Sequence, residues 1–263
     1  MVDRDEPAGD APSEHWGARL HARLDKLEDL LRPEAQALQR AERTVAPAWR
    51  RVTEGEPRWP VSLFVVLAIA LQLTLPQRLA VLPRFVLPAL ALALLIGLVS
   101  ANPRRISRHS PRLRAASMIL IGLISVANAV SAARLIIGLI QGTEGKTAGP
   151  LLANGAAIWL TNVIVFALWY WELDRGGPGA RANGLRHYPD LLFPQMESPE
   201  LAPEHWEPGF IDYFYVSFTN GTAFSPTDVM PLTPWTKLTM LAQEAISVTT
   251  VALVIARAVN ILQ

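Results

Sequence analysis

Apolar residues in this chain come in long blocks, not in the short alternations of a soluble domain. After a polar start, the blocks cover residues 60–76, 80–100, 116–140, 151–171 and 236–262. A helix needs about 20 apolar residues to cross a bilayer, so the pattern predicts about five transmembrane helices. Prolines bracket the first block, which is short for a crossing, and Trp169, Tyr170 and Trp171 close the fourth as an interfacial aromatic belt. One further stretch, "GFIDYFYVSFTNGTAF" at 209–224, is apolar and aromatic but too short and too polar to span. It fits a re-entrant helix, with Gly221, Pro226 and Pro231 breaking the helix before the last crossing.

The remaining segments complete an all-α polytopic membrane fold. Residues 1–13 have nothing apolar to bury and read as disordered. Within 14–58, Leu20, Leu24, Leu27 and Leu31 are spaced 4, 3, 4. That spacing is either a short coiled coil that sets oligomer state or an amphipathic helix lying on a membrane or protein surface. Residues 59–171 form a four-helix transmembrane region, 172–208 a polar loop, and 209–263 a pore-like helix, a loop and the final transmembrane helix.

Composition sharpens this picture. The chain is 51% hydrophobic and 18% charged, against about 25% charged in soluble domains. There is no cysteine, which excludes disulfides, thiolate catalysis and cysteine–metal centres. Alanine richness and the preference for arginine over lysine point to a bacterial source. From residue 43 on, segments on the N-terminal side of the predicted membrane carry twelve arginines, against Arg78, Arg84 and Lys146 on the other side. The positive-inside rule therefore places the N-terminus and the 172–208 loop in the cytoplasm of a cell (inner) membrane. The basic run "NPRRISRHSPRLR" reads as a topology anchor for the lipid bilayer, and no nucleic-acid partner is expected. The five histidines lack metal-ligand spacing, and no phosphate loop, nucleophile elbow or carboxylate pair is present. The reading is a non-enzyme without cofactor or metal.

The candidate chemistry lies in "TNGTAFSPTDVMPLTP", 219–234. Thr219 and Thr222 stand at T-x-x-T spacing, and Asp228 and Pro231 at D-x-x-P spacing, ahead of an apolar helix. This resembles the two-helix pore module of potassium channels, with Phe224-Ser225-Pro226-Thr227 where that family has its glycine-rich filter. The resemblance implies a homo-oligomer, a tetramer by analogy. A second resemblance covers roughly 165–262. "WELDRGGPGAR", "LLFP" and "DYFYVSFTNGTAFSPTDV" are similar to the bacterial membrane family called domain of unknown function 1345. Residues Asp212, Tyr215, Phe218, Thr219, Gly221, Phe224, Thr227 and Asp228 fall in its register. That family implies architecture, not substrate.

Each candidate carries two readings. Thr219, Thr222, Ser225 and Thr227 either offer oxygens to monovalent cations or bond to nearby backbone in a turn. Asp228 is either a pore-mouth carboxylate or a helix cap. Glu244, two turns into the last span, either acts on ions and protons or holds helices together. The leading function is passive cation permeation by a channel-like homo-oligomer. The alternatives are a small ion- or proton-coupled transporter using Glu244, and a non-transporting membrane scaffold. The charge bias turns the pore-like loop inward, opposite to potassium channels, so either the module is inverted or the span count is off by one.

Overall fold

The computed structural model describes residues 48–222 and 228–262. Residues 1–13, expected to be disordered, and the leucine spacing at residues 20–31 lie outside the described residues. So do Ser225 and Thr227.

Among the described residues, eight α-helices follow one another: α1 (Trp59–Thr74), α2 (Val86–Ala101), α3 (Pro111–Ile140), α4 (Ala148–Leu173), α5 (Pro178–Ala182), α6 (Pro194–Glu197), α7 (Phe210–Thr222) and α8 (Pro234–Leu262). Three of them, α3, α4 and α8, are long and apolar enough to cross a membrane. The expectation of about five crossings is thus met in length by three helices only, because α1 and α2 have 16 residues each. Sixteen residues rise about 24 Å, below the roughly 30 Å of a hydrocarbon core. Proline sets these lengths. Leu75 precedes Pro76 and is pushed to an extended conformation (φ −69°, ψ 141°), which ends α1. Pro83 lies in the turn before α2, and Pro88 lies in its first turn, where a missing N–H costs nothing. Residues 80–85, expected within the second span, are outside the helix.

Two short antiparallel strand pairs fasten the ends. β1 (Glu56–Pro57) pairs with β2 (Arg105–Ile106) in the register Glu56↔Ile106, which closes the α1–α2 hairpin at its base. β3 (Leu191–Leu192) pairs with β4 (Met230–Pro231), with Leu191 opposite Pro231, which ties the polar loop to the start of α8. Both pairs sit at the same end of the helices as the C-terminus of α4. At the opposite end, Glu144 closes onto the Arg78 guanidinium (3.1 Å from Nη2 to Oε2).

α4 is the central helix. Its apolar window is 61% buried, against 44% for α3 and 22% for α8. Ile164, Leu168, Tyr170 and Trp171 of α4 meet Val65 and Ile69 of α1 and Phe210, Tyr213 and Val216 of α7 in one core. Exposed leucine, isoleucine and valine cover the outward faces of α1, α2, α3 and α8, the inverse of a water-facing surface.

Candidate functional site

α7 is amphipathic, with Phe210, Tyr213, Val216, Ser217 and Gly221 buried on one face. That face lies along α4, antiparallel to it. At the top, the Trp171 and Phe210 rings meet edge to face at 6.1 Å. Two turns down, the Ser217 hydroxyl donates to the Val163 carbonyl at 2.6 Å. At the bottom, the Trp159 indole N–H donates to the Gly221 carbonyl at 3.2 Å. By Met230 and Pro231 the chain is back beside Leu191 and Leu192, at the end where α7 started. Gly221 thus lies beside about the middle of α4, while Met230 and Pro231 lie at the end where α7 begins.

A seam of neutral polar groups joins α4, α7 and α8. Gln243 of α8 is fully buried. Its Oε1 accepts from the Tyr170 hydroxyl at 2.6 Å and from the Asn220 amide at 3.0 Å. Its Nε2 donates to the Ser217 carbonyl at 2.7 Å and hydroxyl at 2.8 Å. One turn on, the Asn162 amide donates to the Ser247 hydroxyl at 3.0 Å. Gly221 lets the helices approach this closely. A Cβ there would lie 3.1 Å from Gln243 Nε2 and 3.3 Å from Val163 Cγ2.

The sequence-selected residues scatter around this seam. The Thr219 hydroxyl reaches the carbonyls of Tyr215 (2.9 Å) and Val216 (3.1 Å) in its own helix, and the Thr222 hydroxyl donates to the Thr219 carbonyl at 2.8 Å. Their protons are spent on backbone, and their lone pairs are left. Asp228 is exposed and precedes Pro234, the first residue of α8, by six positions, so it does not cap that helix. Thr233 stands at the helix start instead, with its hydroxyl 3.1 Å from that of Thr236. Glu244 is half-buried beside Gln243 and has no ion-pair partner among the described residues. Arg134 does not reach it. Its guanidinium bonds to the Ala80 carbonyl in the turn after α1.

Sequence reading overlooked a second cluster, buried where α4 ends. Residues 174–176 form a tight turn in which Arg175 takes a left-handed conformation (φ 50°), followed by Gly176 (φ 81°) and Gly177 (φ 93°). Three positive φ values in a row need the glycine pair. Two charges of the turn, Asp174 and Arg175, are buried here together with Arg181 of α5 and Glu56 of β1. The Arg181 guanidinium donates to Glu56 Oε1 from Nη2 (2.6 Å) and Nε (3.0 Å), and to the Trp171 and Asp174 carbonyls from Nη1 (2.6 and 2.9 Å). The Trp171 indole donates to the other Glu56 oxygen at 2.7 Å. Asp174, fully buried, accepts from the Tyr213 hydroxyl at 2.7 Å and from the Asp190 and Leu191 N–H groups at 2.8 and 3.3 Å. Arg175 donates from its backbone to Asp190 Oδ2 at 2.8 Å and from its side chain to the Trp49 carbonyl. Glu207 lies at the rim, and burial, with the Glu56 charge beside it, raises its carboxyl above the usual range. "WELDRGGPGAR" contains most of these groups. Glu56 lies 125 residues away from Arg181, and no local spacing announces it.

Comparison with protein-family models, with curated proteins and with solved structures gives no match. The reading therefore rests on geometry. The cluster at the end of α4 is closed, and apart from the buried Arg175 Nε, which lies 3.5 Å from Asp174 Oδ2, its charged groups are hydrogen-bonded, as in a structural lock. The α7–α8 hairpin combines a short helix packed along α4 with a long helix that carries an outward apolar face.

Proposed function

We propose that this chain is a multi-pass inner-membrane protein, N-terminus cytoplasmic, in which the α7–α8 hairpins of several copies surround a path for passive cation movement. In this reading all five apolar helices cross, α1 and α2 with the help of flanking residues. Thr219, Thr222, Ser225 and Thr227 supply oxygens, Asp228 stands at the mouth, and Glu244 lies farther along. The family resemblance of residues 165–262 belongs to the same proposal.

One observation carries it. α7 is 13 residues, about 20 Å, and the chain beyond it returns to the end it came from. Non-helical backbone at membrane depth is tolerated where it is covered by protein or lines a wet cavity. The return falls at the end that carries the arginine-rich segments, so the module is inverted relative to potassium channels. The outward face of α8 supports assembly. Leu238, Leu241, Ala245, Val248, Ala252, Ile255 and Val259 are all exposed and spaced 3, 4, 3, 4, 3, 4. That repeat keeps one seam facing a neighbouring helix at a left-handed crossing, with alanines allowing close approach.

The test is cation flux through the full chain in liposomes, together with its stoichiometry in nanodiscs. Passive potassium or sodium flux by an oligomer is expected, lost when Ala245→Trp and Ala252→Trp break the seam. A monomer in nanodiscs overturns the proposal. Saturable flux driven by a pH gradient and abolished by Glu244→Gln would assign the transporter reading instead.

A further inference from the structure

We infer that the cleft between the N-terminus of α3 and the Gly176–Gly179 turn is a binding site for a phosphate-type oxyanion, independent of the α7–α8 hairpin. The cleft encloses about 50 Å³ and is lined by Arg58, Arg108 and Arg114, with the backbone of Gly177 and Gly179 opposite. That space holds one small oxyanion or a few waters, not a nucleotide.

The decisive observation is Arg58. Its residue is 8% exposed, and its buried Nε has no hydrogen-bond partner. A buried guanidinium N–H is expensive to leave unmade. Burial also lowers the Arg58 pKa, and the charge of Glu172 offsets this only in part. The group therefore lacks the counter-charge its position calls for. Arg114 repeats the pattern. Its Nε is likewise buried without a hydrogen bond and lies 3.5 Å from Glu172 Oε1.

Glu172 is the one carboxylate on this wall, and it is already engaged, accepting from the Ser117 hydroxyl at 3.0 Å. Three guanidiniums against one carboxylate leave the cleft positive. α3 adds to this. It is 30 residues long and starts at Pro111, and the preceding Ser110 makes no side-chain cap. The first N–H groups of such a helix have no intrahelical acceptor and point at whatever occupies its end. Guanidinium forks match the spaced oxygens of a phosphate. The group could come from an anionic lipid headgroup or from free phosphate. Trp59, 68% exposed one residue past Arg58, fits an interfacial depth.

The experiment measures the thermal midpoint of the full chain, purified in a neutral detergent and stripped of lipid. Sodium phosphate is compared with sodium chloride at equal ionic strength, and micelles containing phosphatidylglycerol with micelles of phosphatidylcholine. A rise of about 2–4 °C is expected with phosphate, with phosphatidylglycerol or with both, and none with chloride or phosphatidylcholine. A response to the lipid alone assigns a headgroup, and a response to phosphate alone assigns the free ion. Arg58→Gln should abolish the rise, and Arg84→Gln, at the opposite end of the helices, should leave it intact. Should Arg58→Gln fail to fold, Arg114→Gln carries the same test from a more exposed position. No rise with either anionic probe, or a rise that survives both Arg58→Gln and Arg114→Gln, overturns the inference.

Discussion

The fold buries polar groups in two places by two different chemistries. Midway along the helices, the seam of Tyr170, Gln243, Ser217, Asn220, Asn162 and Ser247 is entirely neutral. At the end of α4, the cluster of Glu56, Asp174, Arg175 and Arg181 is charged. The division follows the cost of burial. A charge far from water is expensive, whereas amides and hydroxyls join helices at modest cost. The charges therefore sit where a loop can wrap them, and the wrapping is literal. The Trp49, Trp171 and Asp174 carbonyls and the Asp190 and Leu191 N–H groups all come from non-helical backbone or a helix end.

Breaking the charged cluster should have the largest effect. Arg181→Met strands Glu56, buried at 5% exposure, and two carbonyls. Removing one partner of a buried pair costs about 3–5 kcal/mol. The loss should appear as a lower midpoint in a denaturant titration of the detergent-solubilised protein. The double variant Glu56→Gln with Arg181→Met should cost clearly less than the sum of the single changes, since the stranded charge is gone. An Arg181→Met variant as stable as wild type would remove the cluster from its structural role.

The neutral seam should be cheaper to break. Gln243→Leu leaves the Tyr170 hydroxyl and the Asn220 amide without their shared acceptor. Leaving buried polar groups unpaired costs about 1–3 kcal/mol. A loss equal to that of Arg181→Met would erase the distinction between neutral and charged burial.

Much of this architecture was legible in the sequence. The apolar blocks located the long helices to within a few residues, and Pro231 marked the non-helical stretch just before α8, because proline acts locally. Length was harder to read. Pro76 cut α1 at Thr74 and the Pro83 turn delayed α2 until Val86, where hydropathy alone ran on. The candidate site was legible in outline only. Hydroxyls drew attention to Thr219 and Thr222, while the residue that organises the hairpin is Gln243, a lone amide in an apolar run. Its significance depends on Tyr170 and Ser217, 73 and 26 residues away. The charged cluster was hidden for the same reason, since Arg181 reads as one more cytoplasmic arginine until Glu56 is placed against it.

Glu207, at the cluster's rim, gives a gentler probe. Its carboxyl is raised first by burial and then by the Glu56 charge. A raised folded-state pKa means that the folded protein holds this proton more tightly than the unfolded chain. The resulting stability is complete below the ordinary carboxylate pKa of about 4.3 and is lost as pH rises through the higher folded value. The thermal midpoint of wild type should therefore fall more between pH 4.5 and pH 7 than that of Glu207→Gln, which keeps a polar group near Thr53. Parallel pH profiles would mean that the rim does not sense the charge inside.

Asp228 should matter least for stability and most directly for permeation. It is exposed, and a surface substitution of this kind changes stability by less than about 0.5 kcal/mol. Asp228→Asn should thus melt with wild type. A carboxylate at a pore mouth still concentrates cations, and this effect reaches only as far as salt allows, about 10 Å at 0.1 M and about 3 Å at 1 M. Cation flux through Asp228→Asn liposomes should be severalfold below wild type at roughly 10 mM salt, where the screening length is about 30 Å, and should converge with it at 1 M. Equal flux at both salt concentrations would place Asp228 away from any ion path. A deficit that persists at 1 M would point to a contact with the ion itself, made at short range where screening has no room to act.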